Sequence, residues 1–250
     1  MSATHPRLEN HAPAALHRRL TAIGLAGSAL LVGAASLIAP ANTGGPEELY
    51  TIGTESAARM TAEAYLLTLS SVLLVFGVIG AARLATGRGR LAARIAAGLG
   101  VLGALGHVAY SVFSLIALAL VDSDLPRATV ITALEAIDAS AGVGLMVLPL
   151  ILAYALSVLV LPIALHRAGL VRLWVVGLAA AAVLVEVVVP GTSVLTNAKY
   201  LFAFVAMAAI AVRILQLDDE QWRDPALAGV QRSRSASSTS DRGARSGALK

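Results

Sequence analysis

The chain has 250 residues, 57% of them hydrophobic and only 14% charged, with a formal net charge of +4 and a mean hydropathy of +0.78. Soluble domains carry about 25% charged residues, so this composition excludes a water-exposed globular surface, a disordered chain and a nucleic-acid-binding domain with a continuous basic face. With no cysteine, disulfides, thiolate metal sites and cysteine nucleophiles are excluded as well.

What remains is an all-α, polytopic integral membrane protein, and the spans are read in chain order. A bilayer core of about 30 Å takes roughly 20 helical residues at 1.5 Å each. Residues 1–17 form a polar, Pro-containing lead, and the first span covers about 20–40. Arg18-Arg19, the apolar run and Ala39-Pro40-Ala41 together resemble a signal peptide. The run is nevertheless longer than the usual 7–15 residues of an h-region, which favours an uncleaved first helix. An acidic outer loop with Glu47, Glu48, Glu55 and Glu63 leads to a second span at 64–84, and a basic connection to a third at 95–121.

The second outer loop carries its own helix signal. Asp124-Leu125-Pro126 is a start, since proline is tolerated in a first turn, and Val130, Leu134, Ile137 and Ala141 recur at helical spacing. Glu135 and Asp138 fall on one face of that helix. The fourth span, 141–165, contains Pro149 near mid-bilayer, where a kink is expected, and Pro162 nearer its end. The fifth, 173–190, is interrupted by Glu186 and closed by Pro190-Gly191. The sixth, 194–217, reaches full length if Lys199 and Arg213 snorkel. Six spans is the reading and five the alternative. Trp174 and Trp222 fall where interfacial aromatics are expected, and residues 218–250 read as a basic, disordered tail.

Recurrent starts at Arg19-Leu20, Arg94-Ile95 and Arg172-Leu173 suggest three sequential hairpins. Charge sorts between alternate connections. Sixteen basic residues fall on the side of the termini, against Arg59, Arg127 and Lys199 on the other. The positive-inside rule then places both termini in the cytoplasm, as an even number of spans requires. Of the 19 basic residues, 17 are Arg, a bias of high-GC bacterial genomes, so the expected location is a bacterial plasma membrane.

An ionisable group inside lipid is costly, and is by default a functional hypothesis. His107 lies about 18 Å into the third span, on a stripe with Gly100, Gly103, Ala104, Tyr110, Ser111 and Ser114. Glu186 lies at a similar depth in the fifth span, so a His107–Glu186 pair suited to proton handling is one expectation. Ser70, Ser71, Tyr154, Asn197 and Tyr200 fall near the same depth. The competing expectations are a packing role for His107 and a Glu186 that reaches the outer interface.

Gly98-Leu99-Gly100-Val101-Leu102-Gly103 matches the dinucleotide fingerprint. No strand precedes it and a membrane helix runs through it, so close helix packing is the better reading. Bis-histidine haem ligation is disfavoured because His166 lies at a span end and His5, His11 and His17 precede the first span. No catalytic motif, cofactor or metal site is assigned. The sequence therefore favours a small transporter or permease with a proton-responsive intramembrane site built from His107, Glu186, Tyr110, Ser111 and Tyr154. The alternative is a structural or regulatory membrane protein acting through helix packing and its tail, with an embedded enzyme last. The expected partners are the lipid bilayer, a small-molecule substrate, and a second copy or another membrane protein, with no nucleic acid.

Overall fold

The computed structural model describes residues 12–40, 45–188 and 194–225. The lead before residue 12, Ala41, the Pro190-Gly191 pair and the tail from residue 226 lie outside them. Among the described residues there are eight α-helices, one 3-10 turn and no strand. They are α1 (Ala12–Ile38), α2 (Pro46–Ala82), α3 (Arg90–Val121), α4 (Arg127–Asp138), α5 (Ala141–Arg167), α6 (Leu173–Val188), α7 (Val194–Leu215) and α8 (Asp219–Arg223). The 3-10 turn, Gly87–Gly89, precedes α3. The protein is a polytopic all-α membrane protein. Five of its helices are long and apolar enough to cross a bilayer. The sixth, α6, is equally apolar but has 16 residues, about 24 Å against a core of about 30 Å. Large apolar side chains such as Leu30, Phe76, Leu105 and Leu156 point outward, as lipid contact requires.

The long helices pack in chain order, α1 on α2, α2 on α3, α3 on α5, α5 on α6 and α6 on α7, and α7 closes back on α1. The sequential hairpins α1–α2, α3–α5 and α6–α7 thus close into a ring, with extensive contact between the hairpins as well as within them. The start of α1 meets α8 through an Arg18–Asp219 ion pair of 2.7 Å, so both ends of the described chain lie at one end of the bundle, called here the terminal end. The opposite end, carrying α4, is the loop end.

Two expectations are corrected. The acidic stretch 47–63 is no loop, because α2 starts at Pro46 and runs 37 residues. Proline at the first helical position, two acids in the first turn and the inward residues Ile52 and Met60 all favour helix there. The extension is set off from the span at Ser56, whose φ of −134° and ψ of 25° break the helix. Nor is the chain past residue 217 tail throughout. Asp218 and Gln221 form a reciprocal capping box that starts α8. Trp222 is buried rather than interfacial, with the Arg83 guanidinium 5.8 Å from its ring.

The terminal half is closed by small residues. A Cβ on Gly24 would stand 2.6 Å from the Leu73 carbonyl oxygen, and one on Gly77 would stand 2.6 Å from the Leu25 nitrogen. Only glycine at both positions lets α1 and α2 touch backbone to backbone. Ser70 Oγ donates to the Ser28 carbonyl at 3.0 Å, and Ser157 Oγ to the Ala96 carbonyl at 2.9 Å, so the buried hydroxyls bridge helices. In the fingerprint-like segment, Gly100 faces Val78 and Ser157, and Gly103 lies against Tyr154, where a Cβ would come within 2.5 Å of the Tyr154 Cα. These glycines serve packing. The amphipathic α4 forms as read from the sequence: Val130 and Leu134 are buried with Ala117, against Leu49, Tyr50 and Val121.

Candidate functional site

Toward the loop end the ring opens into a cavity of about 880 Å³, lined from all seven helices α1–α7. Its deepest lining residues are Val32, Leu67, His107, Val158, Ala182 and Ala203, and its rim includes Pro40, Pro46, Asp138 and Glu186. Depth follows from helical rise: Val158 lies nine residues beyond Pro149, or about 14 Å. Lipid-depth polar groups are expected where they line such a space.

His107 is only 9% exposed. Its ring packs on Tyr154 with centroids 4.5 Å apart and a 48° tilt. Its buried Nδ1 has no hydrogen-bond partner among the described residues, and such a group is costly unless something else supplies one. Tyr110, Tyr154 and Tyr200 pack together on Val32, Ala35 and Leu67, giving the inner cavity an aromatic wall.

Glu186 does not pair with His107. Its carboxylate forms an ion pair with Lys199 across the α6–α7 hairpin. Tyr154 is in ring contact with His107 and within electrostatic reach of Glu186 and Tyr200. Of the five residues singled out, His107, Glu186, Tyr110 and Tyr154 line the cavity. Ser111 does not, since it is buried and donates from Oγ to the His107 carbonyl at 2.8 Å. Asn197 and Tyr200 also line the cavity, whereas Ser70 and Ser71 are spent on backbone carbonyls.

Sequence reasoning missed the charged wall: Arg59, Glu63, Asp138 and Lys199. Arg59 donates from Nε to the Ile38 carbonyl at 2.8 Å and from Nη2 to the Ala39 carbonyl at 3.3 Å, capping the end of α1. Glu63 lies within electrostatic reach of Tyr110. An acid and a base on either side of the helix-ending pair Pro190-Gly191, Glu186 and Lys199, were the available signal for their pair. Glu63 and Asp138 carried none, because they come from a segment read as a loop and from a helix not anchored in depth. Among the described residues no group of three or more His, Asp or Glu could hold a metal ion.

Comparison of the chain with protein-family models, with curated proteins and with solved structures returns no match.

Proposed function

We propose that the chain is a small transporter whose substrate enters the cavity from the loop end and is held near His107 and the three tyrosines. The observation that carries this reading is one cavity, lined by seven helices, that reaches mid-span from one end while small residues close the other. Pockets of roughly 300–1,000 Å³ lined by aromatic groups and a few polar ones are the usual form of small-molecule sites. The terminal end, with its excess of arginines, faces the cytoplasm in this reading. His107 and Glu186 then act through Tyr154 rather than by direct pairing.

Transport requires that the cavity face both sides in turn. The natural sequence has no cysteine, so Ala155→Cys provides a single reporter on the cavity wall. A membrane-impermeant maleimide is expected to label it in vesicles of either orientation. Labelling from the loop end alone contradicts transport and leaves a one-sided binding protein, and labelling from neither side contradicts the cavity reading itself.

A packing scaffold is the second reading, and the His107–Tyr154 ring contact favours it. His107→Phe separates the two. It keeps the aromatic contact, so a scaffold tolerates it, whereas a transporter loses the polar atoms that it presents to the substrate.

A further inference from the structure

We infer that the cavity is built for a hydrophobic organic cation; this rests on the cavity being a binding site, as proposed above. Three carboxylates, Glu63, Asp138 and Glu186, line it against two cations, Arg59 and Lys199. Both cations are already engaged. Lys199 pairs with Glu186, and Arg59 with the terminal carbonyls of α1. Among the described residues neither Glu63 nor Asp138 has an ion-pair partner, and since bonds to carbonyls leave the Arg59 charge in place, the wall carries a formal excess of one negative charge.

The rest of the lining agrees with that charge. Tyr110, Tyr154 and Tyr200 form the inner wall with Phe113 nearby. Ring faces attract cations and repel anions through their quadrupole, the more so away from water. His107 Nδ1 is buried without a partner at the same depth. In the neutral ring one nitrogen accepts and the other donates, so His107 can accept from an incoming N–H donor. On the segments of the loop end, Glu47, Glu48, Glu55, Asp122, Asp124 and Glu135 outnumber Arg127, which pairs with Glu47 at 4.0 Å, so the field there favours cations. An anionic substrate would meet that excess of carboxylates.

The test uses full-length protein in nanodiscs of zwitterionic lipid, with uptake by empty nanodiscs subtracted. The probes are tetraphenylphosphonium and its size-matched anion, tetraphenylborate. Tetraphenylphosphonium is expected to saturate one site, at least about tenfold tighter than the borate, given a charge difference acting over several ångströms at an effective dielectric near 20. Ala155→Trp, which projects a large ring into the cavity, is expected to abolish that binding. Glu63→Gln with Asp138→Asn, which keeps shape and removes charge, is expected to weaken it about tenfold or more. If that double variant fails to elute as a folded species, each single substitution serves in its place, with about a threefold loss expected from each.

Saturable borate binding that Ala155→Trp removes, at an affinity equal to or above that of the phosphonium, overturns the cation assignment and leaves the cavity reading standing. Phosphonium binding unchanged in the charge-neutral variants does the same. Failure of both ions to bind saturably, or binding that survives Ala155→Trp, overturns both.

Discussion

The two halves of the bundle are built from the same helices and differ in what those helices place between them. In the terminal half Gly24, Gly77 and Gly100 leave no room for a Cβ, and Ala93, Ala96 and Ala164 are buried together with Leu25, Val78 and Leu161. In the loop half α3 and α5 still meet closely at Gly106 and Leu150, but Val32, Leu67, His107 and the three tyrosines border a cavity. Without a hydrophobic force between helices in lipid, small residues are what permit tight association. Bulk at those positions holds the ring open. Cavity and close packing are therefore separated along the helix axes, and the polar groups of the packed half, such as the Ser157 hydroxyl on the Ala96 carbonyl, are satisfied within the bundle.

Substitutions that add bulk should break this contrast first. Gly24→Leu in the packed half forces two backbones apart and is expected to cost about 3 kcal/mol or more, read as loss of monodisperse protein. Ala155→Trp, a larger addition in the open half, is expected to leave the folded yield unchanged. Equal damage from both would mean that the two halves are packed alike.

Trp222→Ala tests the seal at the terminal end. The side chain is 4% exposed, so truncation is expected to cost about 3 kcal/mol and to lower the thermal midpoint. Asp218→Ala removes the capping box beneath it and is expected to cost about 1 kcal/mol. If Asp218→Ala proves the more damaging, α8 is held by its cap rather than by packing.

Glu186→Gln probes the mouth. It strands the Lys199 amine, whose side chain is 13% exposed against 48% for the carboxylate. Because one partner is half in solvent, the expected loss is only about 1 kcal/mol. Adding Lys199→Met should recover most of it in the melting curve. A double variant as unstable as the single one would mean that the pair is not what joins α6 to α7.

Much of the architecture was legible in the residues. Apolar runs bounded by charge located the long helices, and Asp124-Leu125-Pro126 with Val130 and Leu134 announced α4. Of the fingerprint-like glycines, Gly100 and Gly103 pack closely as read from the sequence, whereas a Cβ on Gly98 would meet nothing within 4 Å. The acidic 47–63 segment misled because charge is a signal about solvent and not about backbone: α2 continues past the bilayer depth as a helix with acids on its wet face. Trp222 misled for a related reason. An aromatic after a span reads as interfacial, yet the arginine beside it and a five-residue helix fold it under the bundle.

For the site, polarity at lipid depth picked out His107, Glu186, Tyr110 and Tyr154, but depth alone does not determine azimuth. Only the closing of the ring settles that Tyr154 meets His107 and that Lys199 takes Glu186. Depth gave no reason to include Glu63 and Asp138, which reach the cavity from a helix extension and from α4.

The contrast between the halves is tested most directly along α5. Single cysteines at Leu152, Ala155, Leu161 and Ala164, in the cysteine-free chain, are labelled with an impermeant maleimide supplied from the loop end. Leu152 and Ala155 line the cavity, whereas Leu161 and Ala164 are fully buried. The expected result is rapid labelling of the first two, a sharp fall at the depth of Val158, and labelling of the last two only after denaturation. Uniform reactivity along the helix, or protection of Ala155→Cys as complete as that of Ala164→Cys, would contradict a bundle that is open at one end and sealed at the other.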